Sequence, residues 1–289
     1  MKSDYEIETG AALLNLPNLQ ILVLSFVYKS EYVKESIFDY QTQQNQIPLQ
    51  NQHNLLDLSL YFSYINKQNE ERFKFLISSL AQKTKLQNLE LISQSFNTYE
   101  NLSEDISHVL TNCMDISTLA LRLNDCKFID KDAQVLGSAL EKNTNIQKLN
   151  LFLYYNRLGD QGTLQLCNSI TNIINLQNLA LDLSSNQISD QGTQNLGIAL
   201  ANCINLKDLQ LFLNNNKIGN QVANYLFSPL AKCTNISNLS VYLYGNEIGD
   251  QGISLLSFNK CLLALSLDFG VFQIQVINYQ IAQTYKVQI

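Results

Sequence analysis

Leu149-Asn-Leu-Phe-Leu-Tyr-Tyr-Asn156-Arg-Leu-Gly-Asp160-Gln-Gly162 is rewritten 30 residues later as Leu179-Ala-Leu-Asp-Leu-Ser-Ser-Asn186-Gln-Ile-Ser-Asp190-Gln-Gly192. The phrase returns at Leu209 and at Leu239, and its asparagines, Asn156, Asn186, Asn216 and Asn246, keep the step of 30 throughout. A fixed step of this length marks a solenoid, in which each repeat is one supersecondary unit that buries its apolar face only against its neighbours.

Outward from that block, Leu89, Leu119, Leu149, Leu179, Leu209 and Leu239 are each preceded three residues earlier by Leu86, Ile116, Ile146, Leu176, Leu206 or Ile236. The alternation Leu-x-Leu-x-Leu has the period of a short strand. A later slot carries Asp130, Asp160, Asp190, Asn220 and Asp250, residue types that cap orphan amides, so each is expected to mark a helix start. Within the helix the apolar slots fall at i, i+3 and i+7, as in Ala133, Leu136 and Leu140 or Thr193, Leu196 and Leu200. That is one helical stripe. Each unit therefore reads strand, turn, helix.

Toward the N-terminus the register continues at Leu55-x-x-Leu58-Ser-Leu60-Tyr-Phe62, followed by a helix expected over 69–82 with Phe73, Leu76, Ile77 and Leu80 on one face. A first repeat is expected at Leu16, Leu19, Ile21 and Val23, with its helix over 31–40. The Gln/Asn-rich stretch 41–54 is too polar to bury and reads as a surface insertion. The step from Leu58 to Leu89 is 31 and that from Leu239 to Leu265 is 26, so the array loosens at its ends. Beyond it, Phe272 to Val276 and Tyr285 to Ile289 alternate and are expected to cover the final edge as strands. The expected organisation is one domain over 1–289, with an N-terminal cap at 1–15, regular repeats over 55–269 and a C-terminal cap at 270–289.

Composition narrows the function classes. Of 289 residues 46% are apolar, and 25 acidic side chains against 19 basic ones leave a net charge of −6. No Lys/Arg cluster suggests a nucleic-acid partner, since phosphate binding needs concentrated positive charge. The richest early apolar run, Ala11 to Val27, is broken by Asn15, Pro17, Asn18 and Gln20, and the acidic start Met1 to Glu8 is unlike a signal peptide. An intracellular, cytoplasmic chain without membrane contact is expected. The sequons at Asn101, Asn235 and Asn238 are read as chance products of an Asn/Ser-rich chain, Asn238 falling in a segment expected to be buried.

Six cysteines include no C-x-x-C pair. Cys113, Cys203 and Cys233 share a slot held by Asn143 and Ile173 in other repeats, which makes it a packing position and favours free thiols, while Cys203 and Cys233, on neighbouring turns, stand near enough to be bridged in an oxidising compartment.

The combination of L-x-x-L-x-L, an Asn in the turn and I-G-D-Q-G before a helix resembles the leucine-rich repeats of the ribonuclease-inhibitor type. That resemblance, covering Leu55 to Phe269 well, implies an α/β leucine-rich-repeat solenoid of about nine repeats, with a curved parallel β-sheet inside and α-helices outside. One departure is the extra alternation before the Asn (Leu181-Asp-Leu183-Ser-Ser-Asn186), so the strand is expected to run about two residues longer than in the family. Buried in the turn, Asn156, Asn186, Asn216 and Asn246 are expected to form a structural ladder that satisfies backbone groups of adjoining turns. Cys126 and Phe96 occupy the slot in earlier repeats.

Chemical signals are sparse. Asp268-Phe269-Gly270 spells a kinase metal motif, yet neither histidine, His53 or His108, stands in H-R-D and no glycine-rich phosphate loop exists. His53 reads as a loop residue and His108 as a helix-surface residue. No nucleophile pairs with a base, and no metal, cofactor or small-molecule substrate is expected.

What remains is a surface. Residues between the strand leucines point away from the core, and in order they are Tyr61, Ile92, Arg122, Phe152, Asp182, Phe212, Tyr242 and Asp268, extended by Tyr154, Tyr155 and Tyr244 where strands end. Aromatic and Arg side chains carry interface energy out of proportion to their number. The expectation is a non-catalytic scaffold that binds a protein partner through Arg122, Phe152, Tyr154, Asp182, Phe212, Tyr242 and Tyr244 on its concave face. Two alternatives stand beside it: a structural subunit of a cytoskeletal or ciliary assembly, and, from the resemblance, a GTPase-activating regulator of a small GTPase.

Overall fold

The computed structural model describes residues 20–27, 55–63, 74, 77–78, 80, 85–94, 100–249, 264–268 and 273–277. Ten strands form one sheet in chain order: β1 (Ile21–Val27), β2 (Asp57–Ser63), β3 (Asn88–Gln94), β4 (Thr118–Asn124), β5 (Lys148–Phe152), β6 (Asn178–Asp182), β7 (Asp208–Phe212), β8 (Asn238–Tyr242), β9 (Ala264–Asp268) and β10 (Gln273–Ile277). The first nine are parallel to one another, and β10 returns antiparallel along β9. Among the described residues four regular helices follow strands: α1 (Leu102–Asn112), α2 (Asp130–Leu140), α3 (Asp160–Thr171) and α4 (Asp190–Ala201). This is an α/β leucine-rich-repeat solenoid. The caps at 1–15 and the insertion at 41–54 lie outside the described residues, as do the helix at 31–40, Phe96, His53 and Tyr285 to Ile289.

Register explains the core. Leu58, Leu89, Leu119, Leu149, Leu179, Leu209 and Leu239 are partners on successive strands, and so are Leu60, Leu91, Leu121, Leu151, Leu181, Leu211 and Val241. All are buried. Helix stripes meet them from the other side, with Ala133, Leu136, Leu140, Thr193, Leu196 and Leu200 likewise buried. Truncating any one of these leucines to alanine forfeits about 2–5 kcal/mol, because neighbouring coils hold the cavity open.

The first repeat is set differently from the sequence expectation. Leu22 is buried and pairs with Leu58, Leu24 with Leu60 and Phe26 with Phe62, while Ile21 and Val23 are 62% and 59% exposed. Leu19-x-x-Leu22-x-Leu24-x-Phe26 matches Leu55-x-x-Leu58-x-Leu60-x-Phe62 as well as the expected frame does, and both faces of this strand are apolar. Its own periodicity therefore cannot choose the inward face.

The extra alternation before each asparagine extends the pairing beyond the five-residue strands. Leu153 N–H donates to Asp182 O and Tyr155 N–H to Ser184 O; the same two bonds recur from Leu183 and Ser185, and from Leu213 and Asn215. The residue before the slot, Asp125, Tyr155, Ser185, Asn215 or Gly245, then takes positive φ to reverse the chain.

At the slot, Asn156 Oδ1 accepts from Cys126 N and Phe128 N at 3.0 and 2.9 Å, while its Nδ2 donates to Leu123 O and Leu153 O, both at 2.9 Å. Asn186 bonds Leu158 N, Leu153 O and Leu183 O, Asn216 bonds Ile188 N, Leu183 O and Leu213 O, and Asn246 bonds Ile218 N, Leu213 O and Leu243 O. Each amide thus joins its own turn to the turn before.

The recurring acid has a role other than capping its own helix. Asp160 opens α3, but its Oδ1 accepts from Ser189 N and Gly192 N of the next repeat at 2.8 and 2.9 Å, and its Oδ2 accepts from Ser189 Oγ. Asp130 takes Gly159 N, Asp190 takes Gly219 N and Asn220 takes Gly249 N. The acid of one coil therefore fastens the helix start of the following coil. The glycine of D-Q-G makes room for it: a Cβ on Gly192 would lie 2.6 Å from Asp160 Oδ1 and one on Gly162 would lie 2.4 Å from Asp130 Oδ1.

Repeat seven departs from its neighbours. Pro229 has no N–H for a bond back to Tyr225 O, and the helix there opens into a π turn at Ala223–Phe227 before the short turn Ser228–Leu230. The carbonyl of Tyr225 presses against α4, where a Cβ on Gly197 would fall 2.0 Å from it.

Cys113, Cys126 and Cys167 are buried, and Cys203 and Cys233 are half-buried. Burial pushes the Cys203 thiol up to about 11 and raises Cys167 and Cys233 as well, which disfavours the thiolate form at all three. Asn143, in the same slot as Cys113, donates to Leu110 O and Ala139 O, but its Oδ1 has no partner among the described residues.

Two substitutions test these ladders. Asn186→Ala strands Leu158 N, Leu153 O and Leu183 O and is expected to cost about 1–3 kcal/mol in urea unfolding. Gly192→Ala gains about 1 kcal/mol of helix propensity. It also loses a charge-assisted hydrogen bond worth about 1.5–3 kcal/mol and adds strain of about 1–3 kcal/mol. The net expectation is destabilisation, and unchanged or increased stability would contradict the acid-to-glycine staple.

Candidate functional site

The sheet face opposite the helices is built from three register rows. Tyr61, Ile92, Arg122, Phe152, Asp182, Phe212, Tyr242 and Asp268 occupy one, each the pairing partner of the next. Two residues earlier run Ser59, Glu90, Ala120, Asn150, Ala180, Gln210 and Ser240, and two earlier again Asp57, Asn88, Thr118, Lys148, Asn178, Asp208 and Asn238.

From Tyr61 to Tyr242 the side chains of the first row are half-buried by one another. Phe212 and Tyr242 stack with centroids 4.6 Å apart at 6°. The Arg122 guanidinium lies 4.6 Å over the Phe152 ring, a cation–π geometry, and its Nε is 3.5 Å from Glu90 Oε1. Glu90 also accepts from Tyr61 Oη at 2.9 Å and from Ser59 Oγ at 3.4 Å. That hydrogen bond holds the Tyr61 hydroxyl above its usual pKa.

Asp182 lies in register between Phe152 and Phe212. Its Oδ1 accepts from Ser184 N at 2.9 Å, and no cation pairs with it among the described residues. Burial raises its carboxyl above the usual range against the opposing effect of the Ser184 bonds.

Tyr154, 42% exposed, and Tyr244, 56% exposed, stand where strands end, their N–H groups held by Asn124 Oδ1 and Asn214 Oδ1. Tyr155 is 60% exposed with its ring 5.8 Å from that of Tyr154. Its φ of 57° is uncommon for a bulky residue.

Below the ring row lies a shallow trough of about 540 Å3, lined by Lys148, Asn150, Phe152, Asn178, Ala180, Asp208, Gln210, Asn238 and Ser240 among others. Asp208 is held from both sides, by the side-chain amides of Asn178 and Asn238. Asn238 belongs to a strand, yet its side chain is exposed on this face rather than buried as expected from sequence. The period had oriented only its neighbour Leu239.

Sequence reading missed Glu90 and Asp208 because it followed a single inward row. The signal was present, since residues two and four places before each ring also face outward on a pleated strand. His108 is exposed on α1. Among the described residues no group of three or more His, Cys, Asp or Glu is placed to hold a metal ion, and no helix is long and apolar enough to cross a membrane.

No family model matches the chain, and no curated protein matches it. Solved structures similar to it include an internalin C2 from Listeria monocytogenes, at 24% identity over 75% of this chain and 73% of that one, with a TM-score of 0.44. Another is the leiomodin-1 actin-binding site 2, at 20% identity over 41% of this chain and 67% of that one, with a TM-score of 0.35.

Asp182 yields a prediction with a definite sign. Its folded pKa lies above its unfolded value, so ionisation works against folding above the folded pKa, and the penalty disappears once pH falls below the unfolded value of 3.8. Asp182→Asn is therefore expected to raise the melting temperature at pH 7, with the gain fading as pH drops toward that value. A lower melting temperature at pH 7 would show the carboxylate to be stabilising.

Proposed function

We propose that this chain is a non-catalytic scaffold, a leucine-rich-repeat protein of the ribonuclease-inhibitor type, that binds a protein partner on the concave sheet face. The observation that carries the reading is the single register row Arg122, Phe152, Asp182, Phe212 and Tyr242, flanked by the exposed rings of Tyr154 and Tyr244. Rings and a guanidinium fixed by rigid strands lose little conformational freedom on binding, which favours them as interface anchors. Nine parallel strands at about 4.8 Å spacing give a face about 40 Å long, enough for an interface of standard size. The same reading places the chain in the cytoplasm.

A second reading, a structural subunit held on more than one side, has one observation in its favour. Ile174 and Ile204 hold one slot on adjacent coils ahead of the strands and are 63% and 71% exposed, a small apolar patch separate from the concave face, with Met114, 42% exposed, beyond Thr144 in the same slot.

Affinity capture separates the two. A Phe152→Ala, Phe212→Ala, Tyr242→Ala variant is expected to fold and to lose the proteins retained by wild type, whereas Ile174→Ser, Ile204→Ser keeps them. Equal recovery by the ring variant and loss by the patch variant would favour the structural-subunit reading and sink the concave-face one.

A further inference from the structure

The ring row is interrupted by an acid. On the outward-facing rows of β6, β7 and β8 the residues are Asn178, Ala180, Asp182, Asp208, Gln210, Phe212, Asn238, Ser240 and Tyr242, two carboxylates and no lysine or arginine. Asp208 is oriented by two amide donors, and among the described residues the one lysine lining its trough, Lys148 on β5, is not paired with it. Asp182 keeps one backbone donor and has no cation beside it among the described residues. Both neighbours of Asp182 along its row are phenyl rings. One of them, Phe152, already shows what it accepts, since the Arg122 guanidinium lies over it. That guanidinium is held on the far side by Glu90, so it does not serve Asp182.

A carboxylate set in register between two phenyl side chains is matched to a cation. The carboxylate supplies the Coulombic attraction and a hydrogen-bond acceptor, and the rings supply cation–π attraction while excluding water. Ala180 and Ser240 keep the adjoining trough open, so an extended chain can lie across the strands with a side chain reaching up to the row.

We propose that the partner presents a basic, extended protein segment to this face and seats one lysine or arginine side chain over Asp182 between Phe152 and Phe212. This rests on the concave-face reading above and gives it a partner chemistry. It accounts for an acid at a position where a ring would have continued the stack, and for the concentration of negative charge over β6 to β8. The N-terminal half of the same face differs, because there Arg122 and Glu90 already neutralise one another.

The test uses the full chain and a fluorescein-labelled octapeptide of alternating arginine and glycine, beside the same peptide with citrulline for arginine. The arginine peptide is expected to bind and the citrulline peptide to bind at least about tenfold more weakly. Asp182→Asn, expected to be folded and no less stable than wild type at pH 7, weakens the arginine peptide by about tenfold. Asp115→Asn, which removes an exposed acid outside the trough, leaves it unchanged. Equal weakening by both substitutions, equal binding of both peptides, or binding of neither overturns the proposal. Partner capture distinguishes the two levels: retention by Asp182→Asn with loss by the triple ring variant defeats the basic-segment inference alone, and retention by both variants defeats the concave-face reading with it.

Discussion

The side-chain amide of the turn asparagine governs the rest of the molecule. A parallel strand that ends in a reversal leaves carbonyls and amides that its own coil cannot reach, and burying them unpaired costs about 1–3 kcal/mol each. Asn156 meets this by bonding Leu123 O, Cys126 N and Phe128 N of the preceding coil as well as Leu153 O of its own. Because the partners belong to another coil, the bond satisfies the backbone and fixes the register in one step. A slip of one residue would break every such bond and turn the leucines outward.

The acid-to-glycine staple performs the matching task at the helix end of each unit, so a coil is fastened to its neighbour at two separated points. Two fasteners set an orientation as well as a spacing, which is why rows of equivalent residues stay aligned across β4 to β8. Their variations are local. Cys126 replaces the asparagine in one turn and its Sγ reaches Ser93 O, a weaker bond than an amide makes. Val222 replaces the glycine that elsewhere faces the acid of the preceding coil, and there Asp190 keeps its bond to Gly219 N. In the same repeat Pro229 opens the π turn, and Gly197 on the previous helix admits the displaced carbonyl. In an array whose units touch only their neighbours, such departures need not propagate.

Legibility in the sequence followed the range of the interaction. The strand leucines and the helix stripe were readable because their periods are properties of a single element. The row from Tyr61 to Tyr242 was readable because the step of 30 converts position into register. The frame of β1 was misread, since Ile21 and Val23 are as apolar as Leu22 and nothing within the strand distinguishes its faces. The partner of Asp160 was missed for a different reason: a cap is assigned to its own helix by sequence proximity, whereas Gly192, which it serves, lies 32 residues away. Glycine leaves no pattern of its own to point back to the acid. Glu90 escaped because three donors converge on it from β2 and β4, and convergence is visible only in space.

Stacking between successive coils is the simplest account of the ring row, and it explains part of it. Phe212 on Tyr242 is such a stack, and both rings shed water by it. Stacking alone favours an aromatic residue at position 182 as well, since a ring there would join Phe152 to Phe212 and bury all three. The chain has an acid instead, desolvated by burial and without a cation nearby among the described residues. A surface shaped only for stability would not keep a charge where ionisation opposes folding. Under the proposed docking of a basic segment, position 182 is where the demands of folding and of recognition separate, and a cation seated there would account for the side chain found.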